Sequence, residues 1–184
     1  MMNRKVLIFS LLCILSANRI FAQGATVEES IWSVQAGAFG VWVNNETRLS
    51  NVCTMRSEIE LTGMYWNWYV AGVADLTSYA VFPLFRAEPR WYYNLQRRAA
   101  KGKNTIYNAA DFFAVKTTVN PGLVLISKNV TVEPAFSIIP AWGFRRNFGR
   151  YFNFELSGGI GYVYTRSDGS DLGMDFTVRV GYVF

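Results

Sequence analysis

Residues 152–164 read FNFELSGGIGYVY, and their alternation decides the fold. Phe152, Phe154, Leu156, Ile160, Tyr162 and Tyr164 fall on one side of an extended chain, and Asn153, Glu155, Ser157, Gly159 and Gly161 on the other. The same division recurs in both directions. In TVEPAFSIIPAWGFRR, 131–146, Phe136, Ile138, Pro140, Trp142 and Phe144 oppose Thr131, Glu133, Ser137, Gly143 and Arg145. In FTVRVGYVF, 176–184, Phe176, Val178, Val180, Tyr182 and Phe184 oppose Thr177, Arg179 and Gly181. Upstream, VCTMRSEIEL sets Met55, Ile59 and Leu61 against Arg56, Glu58 and Glu60, and FRAEPRWYY sets Phe85, Ala87 and Trp91 against Arg86, Glu88 and Arg90.

Helical periodicity is almost absent, and Gly, Asn, Asp and Ser punctuate the alternating segments, so the pattern predicts an all-β sandwich or barrel. Eight strands are expected near 31–44, 49–61, 64–71, 79–96, 109–126, 130–146, 151–165 and 172–184, with MYWNWYVA at 64–71 the weakest pattern. No internal repeat, low-complexity tract or domain boundary interrupts them.

The N-terminal stretch MMNRKVLIFSLLCILSANRIFAQG has a basic head (Arg4, Lys5), an apolar run from Val6 to Leu15 and small residues after it. That is the layout of a secretory signal peptide, 1–22, cut after Ala22, because the run is well short of the roughly 20 residues of a spanning helix. A mature chain of residues 23–184 is large enough for one domain, and its charge falls from +5 to about +2 once Arg4, Lys5 and Arg19 leave. Basicity therefore argues little for nucleic acid, and no nucleic-acid partner is expected. Cys53 is the one thiol left, so no intrachain disulfide is available.

Two barrels satisfy a strand set with one greasy and one polar face. A lipocalin-like ligand carrier turns the apolar face inward, whereas an outer-membrane barrel turns it outward against lipid. A soluble exterior should be rich in long charged side chains, but here single charges mix with Gly, Ala, Ser and Thr. The opposite face is crowded with Trp, Tyr and Phe near strand ends, as membrane-interface girdles are. The expectation is an up-and-down antiparallel transmembrane β-barrel of eight strands. Its lumen would hold Arg56, Arg86, Arg90, Lys116, Arg145 and Arg179 against Glu58, Glu60, Glu88, Glu133, Glu155 and Asp175 as a structural plug of salt bridges, since so narrow a bore leaves little room for water. Pro83, Pro89, Pro134 and Pro140 fall inside expected strands and each removes a ladder hydrogen bond.

Tests for chemistry point away from catalysis and cofactors. The chain has no histidine to serve as general base. Glu58 and Glu60 are flanked by arginines, so their role reads as structural. With no histidine and one thiol, metal chemistry is left with oxygen ligands, and SDGSD at 167–171 is too short for a calcium loop; it reads as a hairpin turn. GGIG at 158–161 lacks the spacing of a phosphate-binding turn. LQRRAAKGKNTIYN, 95–108, carries Arg97, Arg98, Lys101 and Lys103 with no acid and reads as a soluble connector.

The terminal residues resemble the last strand of outer-membrane barrels, which implies that Phe176, Val180, Tyr182 and Phe184 form a signal read by the barrel-insertion machinery. More broadly, EPRWYYNLQRRAAKGKNT, ADFFAV, SIIPAWGFRRNFG and GGIGYVY resemble an uncharacterised group of Gram-negative outer-membrane β-barrel proteins over roughly 30–184. The resemblance implies a small barrel in contact with outer-membrane lipid and assigns no substrate, cofactor or catalytic residue. A monomer with a structural or surface-interaction role is expected, with a porin-like channel for small or apolar solutes, or a soluble lipocalin-like periplasmic binder, as alternatives. Adhesion is disfavoured because the expected surface connections VNNETR and RSDGSD are short.

Overall fold

Along the long strands the outward positions are mostly β-branched and aromatic and most inward ones carry charges or small side chains, a pattern that a pleated chain satisfies by closing around its polar face. The computed structural model describes residues 24–68 and 76–184. The expected signal segment lies outside them, as do residues 69–71 of the expected strand at 64–71. Strands β1 (Ser30–Gly37), β2 (Gly40–Arg48), β3 (Cys53–Trp68), β4 (Leu76–Trp91), β5 (Asp111–Asn120), β7 (Ala135–Phe148), β8 (Phe152–Thr165) and β9 (Gly169–Val183) form the barrel wall. A three-residue strand, β6 (Ile126–Lys128), and one six-residue helix, α1 (Leu95–Ala100), lie in the connections.

Each wall strand pairs antiparallel with its neighbours in sequence, and β1 pairs with β9 to close the ring. The fold is a closed eight-stranded up-and-down β-barrel. Both ends of the described chain, from Gly24 and at Phe184, lie at one mouth with the β2–β3, β4–β5 and β7–β8 connections; we call this the terminal mouth and the other the far mouth.

The strand count of eight emerges from different boundaries than the alternation suggests. The stretch expected as one strand at 31–44 is a tight hairpin, β1 and β2, turning at Ala38–Phe39. A Cβ at Gly37 would lie 2.3 Å from the Val178 carbonyl oxygen, and one at Gly40 2.4 Å from that of Leu61, so only glycine fits at either side of this turn. Conversely, residues 53–61 and 64–68 of the segments expected at 49–61 and 64–71 belong to one long strand, β3, whose outer part pairs with β4 beyond the reach of β2. VNNETR, expected as a surface connection, lies within β2, whereas Ser167 and Asp168 do form the β8–β9 turn.

Three prolines stand inside strands, and each marks a break in pairing on one side. The β4–β5 ladder skips from Ala87↔Thr117 to Arg90↔Ala114, a gap that holds Pro89. Across β7–β8 it skips from Ile138↔Tyr162 to Ala141↔Gly159, a gap that holds Pro140. Pro83 sits where β4 leaves β5, last paired through Phe85, and takes up β6 through Val81. The β3–β4 ladder runs unbroken past Pro83 and Pro89, so each ring costs one neighbour only. Pro134, by contrast, precedes β7.

A small apolar cluster of Val27, Tyr92, Leu95, Ala110, Phe112 and Ala114 stoppers the terminal mouth. The β4–β5 connection bends back over the mouth to supply it, which is why the chain leaves the strand at Trp91 rather than at 96 as expected. The 3-10 turn Ile106–Asn108 follows with left-handed backbone at Tyr107 (φ 50) and Asn108 (φ 61). Asparagine tolerates that conformation, and the buried Asn108 side chain is held at both ends: it accepts from the Glu28 N–H at 2.8 Å and donates to Glu46 at 2.8 Å.

Candidate functional site

Among the described residues most of the buried titratable groups converge in the lumen, on inward positions of seven strands. Eleven of the twelve charges expected there line it: Arg56, Glu58 and Glu60 from β3, Arg86, Glu88 and Arg90 from β4, Lys116 from β5, Arg145 from β7, Glu155 from β8, and Asp175 and Arg179 from β9. All are buried except Asp175, whose side chain is 15 % exposed.

Glu133 is the exception. Its segment does not begin a strand until Ala135, because Pro134 has no N–H for a ladder, and the exposed Glu133 instead accepts from the Ser167 N–H at the far mouth. The sixth carboxylate is Glu46 of β2, fully enclosed. It was hidden by the run Asn44-Asn45-Glu46-Thr47, in which the outward residues are also polar. Its one sequence signal is that it continues the inward parity of Trp42 and Asn44. With Glu46, six cations meet six carboxylates among the described residues.

Glu155 is the hub. Its Oε1 accepts from Arg56 Nη1 at 2.7 Å and Arg90 Nη2 at 2.8 Å; its Oε2 accepts from Arg90 Nη1 and Arg145 Nε at 3.0 Å each. Glu46 anchors the terminal side, accepting from Arg145 Nη2 (2.8 Å), Tyr92 (2.7 Å), Thr54 (3.0 Å) and Asn108. Burial pushes the Tyr92 phenol well above its ordinary pKa, so it remains a donor. Glu58 is shared by Arg56 at 2.7 Å, Arg179 and Arg86. Arg90 stacks over Phe112 at 4.1 Å and Arg179 over Trp42 at 4.2 Å, so the bases of the network also rest on aromatic faces.

Toward the far mouth the arginine–carboxylate contacts lengthen. Arg86 reaches Glu58 at 3.2 Å, Asp175 at 3.3 Å and Glu60 at 3.4 Å, and donates to Thr118 at 2.9 Å. Lys116 pairs with Asp175 and donates to Ser157 and Thr177. Above this floor lies a cavity of about 270 Å³ walled by Phe82, Leu84, Ile139 and Val163.

Such an arrangement can hold the barrel shut and rigid. Nearly every ionised group faces an opposite charge at hydrogen-bond distance, which leaves little free to act as an acid, base or nucleophile. Phe176, Val180, Tyr182 and Phe184, the residues expected as an insertion signal, all point outward, apart from the network. Compared with known proteins, the chain matches no family model, no curated protein and no solved structure.

Proposed function

We propose that this protein is an outer-membrane barrel, exported by a cleaved signal peptide and inserted as a monomer, with a structural or surface-interaction role and no catalysis. The observation that carries this reading is inverted polarity. The interior buries eleven charged side chains among the described residues, while large apolar ones stand exposed around the wall: Trp32, Val43, Ile59, Phe85, Ile160 and Phe176 among them. A water-soluble protein rarely leaves so continuous an apolar surface uncovered.

An aromatic collar supports it further. Around the terminal mouth Trp91 stacks with Phe113 (6.2 Å), Phe144 meets Phe154 (6.0 Å), and Phe152, Tyr182 and Phe184 follow at 5.6 and 5.3 Å, spanning five consecutive strands. Trp142 donates its indole N–H to the Tyr93 hydroxyl at 3.0 Å, the wet edge that such girdles present at an interface. The plugged lumen argues for a closed wall rather than a pore.

Cell fractionation and gel mobility with and without boiling test the reading together. Recovery in the outer membrane with a heat-dependent shift is expected, and Ile59→Arg on the outer wall should cost about 2–4 kcal/mol in a bilayer. Recovery in the soluble fraction, with Ile59→Arg tolerated, would sink it.

A further inference from the structure

The two mouths differ in charge. Among the described residues, the far-mouth connections and strand ends carry Lys128 and Arg166 against Glu133, Asp168 and Asp171. Among the described residues the terminal mouth has three acids, Glu28, Glu29 and Asp111, and seven bases: Arg97, Arg98, Lys101 and Lys103 of the β4–β5 connection, Arg146 and Arg150 at the β7–β8 end, and Arg48 at the end of β2. Only two of these bases form an ion pair within the described chain: Arg48 with Glu29 at 3.8 Å and Arg146 with Asp111. Arg97, Lys101, Lys103 and Arg150 are exposed and unpaired among the described residues.

This basic surface is built rather than loose. Leu95 is locked into the stopper, Arg98 donates to the carbonyls of Ala109 (2.9 Å) and Asn104 (3.2 Å), and Asn147 of the β7 end donates to the Ile106 carbonyl. The Arg98 bonds brace the β4–β5 connection internally, and the Asn147 bond holds the β7–β8 end against it despite their repulsion. Partial burial, with Arg146 close by, outweighs the pull of Asp111 and lowers the Arg98 pKa from its ordinary value. The cations also sit immediately beyond the collar of Trp91, Tyr93, Phe113 and Trp142. In a bilayer that places them level with headgroups, where the phosphate oxygens are.

We infer that the terminal mouth binds the phosphate headgroups of anionic lipid through Arg97, Lys101, Lys103 and Arg150, so that the barrel selects its lipid neighbours at that leaflet. The inference rests on the membrane reading above. Lipid is favoured over a soluble acidic partner because the patch borders the girdle instead of standing clear of the wall.

The test uses the mature chain refolded into phosphatidylcholine vesicles containing trace spin-labelled phosphatidylglycerol or spin-labelled phosphatidylcholine. The fraction of each label held immobile at the protein is read by spin resonance. At low salt the anionic label should be preferred about fivefold or more, the worth of one near-surface cation. The preference should fall to parity in the variant R97Q/K101Q/K103Q/R150Q, and also at 1 M salt, where the screening length is only about 3 Å. Parity in the inserted native protein, or a preference that survives in the variant, would overturn the inference while leaving the membrane reading intact. Loss of the preference on adding soluble polyglutamate would overturn it in favour of an acidic polymer. No immobile fraction for either label, with no heat-dependent mobility shift, would be failure of the membrane reading itself.

Discussion

The two ends of the lumen are lined by the same kind of strand face, yet they have different physics. At the terminal mouth the stopper of Leu95 and Phe112 shuts water out, and the ions beneath it meet at 2.7 to 3.0 Å around Glu155. At the far mouth a cavity of about 270 Å³ opens above Arg86, whose carboxylate contacts run from 3.2 to 3.4 Å. Where a cap removes solvent, every charge must find a protein partner, because an unpaired ion there costs several kcal/mol. Where the barrel stays open, water can share that work. The difference therefore lies in the connection at 92–110 and not in the strands.

The largest expected effect comes from breaking the hub. Glu155→Gln keeps the shape but leaves Arg56, Arg90 and Arg145 with one carboxylate fewer, Glu46, Glu58 and Glu88 being engaged already. A loss of about 3–5 kcal/mol is expected, read as a lower urea midpoint and a lower temperature for the gel-mobility shift. A cost below about 1 kcal/mol would mean that the capped end is wetter than its geometry implies.

Next comes the cap itself. Asn108→Ala removes a donor from Glu46 and an acceptor from the Glu28 N–H, both in a segment held in left-handed backbone. About 1–3 kcal/mol should be lost, and the backbone amides of 106–110 should exchange hydrogen faster than those of β8. Unchanged exchange would show that Leu95 and Phe112 close this mouth without help from the 3-10 turn.

What the sequence made legible was parity, and what it hid was where parity stops. Arg145, Glu155 and Arg179 could be placed inside from alternation because their outward neighbours Phe144, Phe154 and Val180 are apolar. Glu46 could not, since its neighbours Asn45 and Thr47 are polar too, and the outward side chain of Asn45 bonds across to the neighbouring strand β1, donating to Ser30 and to the Ile31 carbonyl. Glu133 was misplaced because alternation continues through Pro134, although the backbone pairing does not. The closing of one mouth was illegible for a different reason. Folding 92–110 over the barrel depends on Leu95, Asn108 and Phe112 meeting Val27 and Glu46 across long chain separations, which no local period records.

The smallest effect should come from the open end, and it sharpens the comparison most. Glu60→Gln has the same chemistry as Glu155→Gln, on the same kind of inward position, but Glu60 has a single cationic partner, Arg86 at 3.4 Å. Arg86 keeps Glu58 and Asp175 after the change, so no cation is stranded. Arg86 and Asp175 also line the cavity above, so water can take up the donor that Glu60 gives up. About 1 kcal/mol or less is expected. The ratio of the two costs is the informative quantity. If Glu60→Gln approached the cost of Glu155→Gln, the far mouth would have to be as dry as the capped one, and the contrast between capped and open ends would fail even though each variant alone behaved as an ion-pair loss.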